Sequence, residues 1–289
     1  MILPQDYKQP ALLLGNGINN YNDTGKSFKN ILKEMALSVG INEHKCDAIL
    51  ESTGDITYPE FYDALKLRYK TGENVSSGDD YTSFKESLQK ELRKWQSSLA
   101  HENTVNFARN NCIPLLTTNY DSTLLTDSVR SHYPLRRQRN SAGDIQPSKT
   151  LSKKSTQFYP IYSYYSDHEI QNVLKDFGIW HIHGCVYYRN SIRLGIGEYF
   201  RFIKWIDLRL SDKHMVHKNE SWNDNNSWLD IFLHNDLIIM GLALESQEID
   251  LRRLLKARYF YGKNLNLKTQ YVVNSDTGKD GKRFDVWDY

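Results

Sequence analysis

Cysteine is scarce in this chain: Cys46, Cys112 and Cys185 are the only three in 289 residues. They lie far apart, are odd in number and form no C-x-x-C pair, which excludes a disulfide framework and a four-cysteine zinc site and points to a reducing compartment. Long apolar runs are missing as well, since no stretch approaches the ~20 residues needed to span a bilayer. The opening Met1-Ile-Leu-Pro-Gln-Asp6 lacks a basic segment, and the nearby apolar run 11–14 is too short for a secretory signal core. The expectation is a soluble, cytoplasmic protein with no membrane partner. Excess charge of one sign is also absent: 37 Lys and Arg balance 35 Asp and Glu, leaving +2. Such a balance produces no field that would gather nucleic acid or anionic lipid, and it argues against nucleic acid as a partner. No internal repeat is visible. With 39% hydrophobic and 25% charged residues, the composition suits one large globular domain or two small ones.

Short apolar runs bounded by turn residues recur at long intervals: 11–14 (ALLL), 113–117 (IPLLT), 179–183 (IWHIH), 236–240 (DLIIM) and 270–273 (QYVV). Runs apolar at nearly every position suit strands covered on both faces, the habit of parallel sheets in α/β folds. Helical periodicity fills the gaps at 27–38, 43–50, 59–69, 81–99, 101–110 and 247–259. In 81–99 the stripe is Tyr81, Phe84, Leu88, Leu92, Trp95 and Leu99, stepping by three or four. The fold class expected is α/β, a Rossmann-like and mostly parallel sheet with helices on both faces. The whole chain 1–289 reads as a single domain with a helical insertion at about 25–110. Residues 135–155 turn to Arg, Lys, Ser, Gly and Asn and read as a mobile basic loop, with Arg136, Arg137, Arg139, Lys149, Lys153 and Lys154 as its cations.

Chemistry collects at the strand ends. Gly15-Asn16-Gly17-Ile18-Asn19 follows the first strand, where glycines let a backbone approach a pyrophosphate and the next helix offers free N–H groups. Asn20 replaces the third glycine of G-x-G-x-x-G, and it also spoils a phosphate-loop reading of Gly25-Lys26-Ser27. The second strand ends in Thr117-Thr118-Asn119-Tyr120-Asp121, an amide and a carboxylate where open α/β sheets bind ligands. In Trp180-His181-Ile182-His183-Gly184, alternation puts the two histidines on one face and Trp180 with Ile182 on the other. No cysteine or carboxylate stands beside them at metal-ligand spacing, so no metal is expected. A histidine titrates near neutral pH, which makes His183, before a glycine at a strand end, the candidate base. The fourth run leads into Gly241-Leu242-Ala243, and the last into Asn274.

In this order the strand ends resemble the sirtuin superfamily, whose motifs are a Gly-Ala-Gly loop, a Thr-Gln-Asn-x-Asp segment, a His-Gly pair, a Gly-Thr-Ser-like loop and a final Val-Asn. The resemblance spans about residues 10–275. It implies NAD+ as the substrate, with Gly15, Asn16, Gly17 and Asn19 in the pyrophosphate loop and Thr118 in the loop that carries Asn119. It also implies Asp121 beside the nicotinamide carboxamide, Gly241 at the phosphates and Asn274 at the adenosine ribose. Asn119 and His183 are the implied catalytic pair. The paired C-x-x-C zinc ribbon of the deacylases is absent, and Asn19, Thr118 and Ala243 replace the family's Ser, Gln and Ser. That pattern is similar to the zinc-less, NAD+-cleaving effectors of bacterial antiphage defence systems.

The resemblance therefore implies an NAD+ hydrolase that releases nicotinamide and ADP-ribose and acts by NAD+ depletion. Hydrolysis and cyclisation both follow from the same cation and stay open. Restraint of such an enzyme implies an activating protein partner or small-molecule signal, and a homo- or hetero-oligomer. Three alternatives remain at this stage: a non-catalytic NAD+/ADP-ribose sensor, a NAD+-dependent deacylase with a rebuilt groove, and a nucleic-acid-binding protein using the basic loop. His181 has no role carried over from the family.

Overall fold

The computed structural model describes residues 7–20, 27–51, 57–71, 82–126, 129, 131–134, 137–139, 145–147, 163–211, 227–244, 248–262 and 265–272. Strand β1 (Pro10–Leu14) is followed by helices α1 (Gly17–Asn20), α2 (Phe28–Ser38), α3 (Glu43–Glu51), α4 (Tyr58–Thr71), α5 (Thr82–Leu92) and α6 (Leu99–Asn110). Then come β2 (Leu115–Thr117), β3 (Ser131–Pro134), β4 (Arg137–Arg139), β5 (Ile145–Pro147), β6 (Ser163–Ser166) and β7 (Ile179–His181). The chain continues through α7 (Ile196–Ser211), α8 (Trp228–His234), β8 (Asp236–Met240), α9 (Ile249–Gly262) and β9 (Thr269–Val272).

Seven described strands form one sheet in the order β3-β6-β7-β2-β1-β8-β9. The five strands from β7 to β9 are parallel, and β6 joins β7 antiparallel with β3 antiparallel beyond it. The fold is α/β and Rossmann-like. Counted along the chain, the parallel set runs third, second, first, fourth, fifth, the doubly wound order, whose direction reverses between β1 and β8. Ligands of such sheets bind outside the carboxyl ends of the strands at that reversal.

Alternation along each strand divides the core in two. Leu12, Leu14, Leu115, Ile179 and Ile238 belong to one cluster, which α2, α4, α5 and α6 complete with Leu32, Tyr62, Phe84, Leu88 and Val105. Leu13, Leu116, Trp180, Ile182, Leu237 and Ile239 belong to the other, which α7, α8 and α9 complete with Phe202, Phe232 and Leu254. Helices between β1 and β2 thus share one continuous core with the sheet. Both faces are dry at β1, β2, β7 and β8, which is why these strands read as unbroken apolar runs. Strand β9, expected to be buried like them, lies at the sheet edge and is mostly exposed, Val272 by 39%.

The helix expected at 81–99 ends seven residues early, at Leu92. Ser98 starts α6 instead, its N–H donating to His101 Nδ1 at 3.0 Å in a capping box. Serine competes for backbone groups and is favoured at a cap over a helix interior, so the Gln96-Ser-Ser98 stretch breaks the stripe and leaves Leu99 67% exposed. Within the basic stretch at 135–155, β4 and β5 pair as a small antiparallel ribbon, Arg137 opposite Pro147 and Arg139 opposite Ile145. The rest of that stretch lies outside the described residues. Strands β3 and β6 and helices α7 and α8 had not been expected, although Phe202, Ile206 and Leu210 step by four along α7. Among the described residues no helix is long and apolar enough to cross a membrane.

Candidate functional site

A cavity of about 390 Å³ opens at the carboxyl ends of β1, β2, β7 and β8, within the ~300–1,000 Å³ typical of ligand pockets. Its floor is three glycines in mutual contact. Gly15 N–H donates to Met240 O and Gly17 N–H to Gly241 O, both at 2.9 Å, stitching the two loops across the reversal point. A Cβ on Gly17 would lie 2.6 Å from Gly241 Cα, and one on Gly15 would lie 2.4 Å from Gly241 O. Gly241 itself has φ +66. Any side chain here would force the two loops apart.

Asn119 is 4% exposed and held at three points. Its N–H donates to Thr117 Oγ1 at 3.1 Å, its side-chain amide to Gly15 O at 3.3 Å, and its carbonyl accepts from His181 Nδ1 at 2.8 Å. His181 thereby acquires a place in the site: it orients the Asn119 loop from behind. Its Nε2 is buried with no hydrogen-bond partner, and burial pushes its pKa below the ordinary histidine value, against the opposing effect of the Asn119 carbonyl.

Asn19 forms a buried hub under the floor. Its amide nitrogen donates to Asn16 Oδ1 at 2.8 Å and to Asp121 Oδ2 at 2.9 Å, while its oxygen accepts from His101 Nε2 at 2.8 Å. Asp121 Oδ1 also accepts from the Thr123 N–H at 2.9 Å and from the Thr123 hydroxyl. These bonds tie α1, the β2 loop and α6 into one unit.

His183 faces the cavity, and its Nε2 lies 2.6 Å from Asp250 Oδ2. Three rings surround the imidazole: Tyr199 edge-on at 5.7 Å, Phe202 edge-on at 6.1 Å and Tyr120 at 6.5 Å. The Tyr120 hydroxyl donates to Arg193 O at 2.6 Å and lies 3.3 Å from the Tyr199 hydroxyl. Burial pushes both phenols well above their ordinary value, so they stay protonated. Gly184, after His183, has φ +105, and a Cβ there would meet Ser191 O at 2.2 Å. The His-Gly pair is therefore a steric requirement of the turn that aims the histidine.

Helices on the first face supply the wall. Phe28 and Ile31 of α2, Tyr58 and Pro59 of α4, Leu92 of α5 and Trp95 line it, and Phe28 meets the Tyr58 ring edge-on at 5.8 Å. Lys85 of α5 clamps the opposite rim. Its ammonium contacts Glu198 Oε1 and Ile192 O, each at 2.7 Å, and Glu198 Oε2 accepts from Leu194 N–H at 2.9 Å. Burial pushes the Lys85 ammonium down. The Glu198 carboxyl is also pushed up by burial, but the Lys85 charge and hydrogen bonds outweigh that and hold it below its ordinary range.

Of the residues expected from the sequence, Asn16, Gly17, Thr118, Asn119, Asp121, His183 and Gly241 line this one cavity. Gly15 lies at the base of the floor and Asn19 behind it; neither is among the lining residues. Asn274 lies outside the described residues. The sequence reading missed Asp250, Glu248, Tyr199 and the apolar wall. An acidic residue in the first turn of a helix is ordinary dipole pairing, so Asp250 carried no distinguishing signal. Among the described residues no group of three or more His, Cys, Asp or Glu is placed to hold a metal ion. A scan against protein-family models finds no match to this chain, and a search of curated proteins finds none.

Proposed function

We propose that the chain is an NAD+ glycohydrolase that cleaves the nicotinamide–ribose bond. The observation that carries this reading is the meeting of an amide (Asn119) and an imidazole (His183) in one cavity, above a floor of bare backbone at the reversal point of a doubly wound sheet. A pure dinucleotide sensor needs the floor but neither of those side chains. The sequence resemblance set out above supplies the identity of the dinucleotide, and with it the setting of antiphage NAD+ depletion and an activating partner or signal.

In this reaction the C–N bond to the pyridinium breaks and its electron pair goes to the ring nitrogen, so nicotinamide departs neutral. Positive charge develops on the ribose, and a water oxygen forms the new bond to carbon while its proton leaves to a base. The products are nicotinamide, ADP-ribose and a proton. Positioning and charge stabilisation matter more here than a strong acid, because the leaving group needs no proton. Gly17 and Gly241 line the cavity and would offer bare backbone to a pyrophosphate. Asn119, whose amide is fixed on Gly15 O, orients water or a ribose hydroxyl, and His183 takes the proton. The apolar wall suits the aromatic bases and excludes bulk water.

The test is nicotinamide release from NAD+ by the purified protein, alone and mixed with lysate from phage-infected cells. Asn119→Ala and His183→Ala are each expected to lower turnover by ~10²–10⁴-fold while NAD+ still binds. Binding without release under every condition would establish a sensor instead, and absence of binding would overturn the reading altogether.

A further inference from the structure

Asp250 is wholly buried on α9, a helix whose neighbouring positions Leu251 and Leu254 are core residues. One of its oxygens, Oδ1, is buried without a hydrogen-bond partner, while Oδ2 lies 2.6 Å from His183 Nε2. Leaving a buried carboxylate oxygen unpaired works against stability, and an apolar residue at this position would fit the α9 stripe better. Stability thus gives no reason for this carboxylate. It lies in the first turn of α9, at the positive end of the helix dipole.

We infer that Asp250 is the positioning residue of the site, fixing His183 as the Nε2–H tautomer so that Nδ1 alone presents a lone pair to the reacting proton. This inference rests on the NAD+-cleaving reading for its catalytic consequence, not for its geometry. An imidazole has two nitrogens, and the one that donates to a carboxylate cannot also accept a proton. With Nε2 committed to Asp250, the base is Nδ1. The aromatic rings of Tyr120, Tyr199 and Phe202 pack around the imidazole and hold its plane. The other ionisable groups near this pair are the phenols of Tyr120 and Tyr199, the Arg193 side chain, which stacks 4.7 Å over Phe202, and Glu248 at the cavity edge. Only Asp250 reaches a ring nitrogen of His183 among the described hydrogen bonds. As the base accepts its proton, the adjacent carboxylate stabilises the imidazolium without taking the proton itself, the division of labour known from Ser-His-Asp sites.

Asp250→Asn keeps the shape but removes the charge, and its amide can donate to Nε2, which moves the ring proton to Nδ1. Nicotinamide release is expected to fall by ~10²–10⁴-fold, with the affinity for NAD+ within about twofold of the parent protein. The same substitution made in a His183→Ala background is expected to cost nothing further, because the carboxylate acts only through the ring. The separating measurement is 15N NMR of the unaltered protein labelled at histidine. It is expected to show His183 protonated at Nε2 and bare at Nδ1, with a far-downfield Nε2–H proton that Asp250→Asn abolishes. A ring protonated at Nδ1, or equal additive losses in the two backgrounds, overturns the inference. If the protein releases no nicotinamide, the functional reading fails while the NMR result still decides the tautomer. If Asp250→Asn does not fold, the spectrum of the unaltered protein decides it alone.

Discussion

Strand ends supply the floor of the cavity and helices α2, α4 and α5 supply its wall, and the two halves are held together in different ways. On the floor, glycine backbones touch at Gly15, Gly17 and Gly241, and buried polar side chains such as Asn19, Asp121 and His181 make directed hydrogen bonds. The wall consists of interchangeable apolar contacts among Phe28, Ile31, Tyr58, Leu92 and Trp95, anchored to the rim by the Lys85–Glu198 pair. The contrast teaches where tolerance lies. Hydrogen bonds and backbone contacts accept one geometry, whereas apolar packing accepts many of similar volume.

The largest expected effect breaks the floor where its contacts are backbone on both sides. Gly17→Ala puts a Cβ 2.6 Å from the Gly241 backbone, where neither partner has a rotamer to yield. A destabilisation above ~4 kcal/mol is expected, read as a lowered Tm, because backbone overlap at a stitched loop belongs to the severe class of point mutations. A Tm near that of the parent protein would show that the loops can separate, and the contrast between rigid floor and tolerant wall would collapse.

Next comes the clamp. Glu198→Gln leaves the Lys85 ammonium buried without its counter-charge, which is expected to cost ~3–5 kcal/mol. Combining it with Lys85→Met should recover part of the loss, because a neutral pair no longer strands a charge. Leu194 and Tyr199 flank Glu198 and both line the cavity, so substrate KM is expected to rise more than kcat falls. Equal changes in both would place the clamp within the chemistry rather than at the wall.

The smallest effect concerns acid sensitivity. Burial holds the His181 pKa below its ordinary value, so on acidification the unfolded chain binds a proton that the folded chain refuses. Stability therefore falls as pH drops below the ordinary histidine value of ~6.5, by at most ~1.4 kcal/mol per pH unit. His181→Gln is expected to flatten this part of the pH–stability curve measured by denaturant unfolding. An unchanged slope would show that another group of the floor carries it.

Much of the fold was legible in the sequence. The expected strand at 236–240 and helices at 43–50 and 101–110 agree with β8, α3 and α6 to within two residues at each end, because each is a strong local pattern with its own punctuation. Part of what escaped was short or sequence-neutral, although the 16-residue α7, with Phe202, Ile206 and Leu210 in step, carried a readable helical stripe. β6 is Ser-Tyr-Tyr-Ser, whose two tyrosines enter the cores on opposite faces of the sheet once β6 is paired between β3 and β7. The helix expected at 81–99 failed because periodicity alone does not register a serine cap. In the site, Asn119, His183 and the glycines stood out because they end apolar runs, where side chains of that kind have no packing role. Asp250 and the wall did not, since a carboxylate in a first helical turn and apolar residues on a helix have ordinary explanations.

The sequence by itself determined the central strands, most of the helices and the polar residues at the strand ends, because period, caps and turn chemistry act over a few residues. Only the tertiary structure decided that β1 lies between β2 and β8, which closes Gly17 onto Gly241, and that Asp250 reaches His183 across 67 positions of chain. Strand order and helix docking are settled by the burial of both sheet faces at once. No local stretch of residues encodes which distant partner that burial will bring to its side.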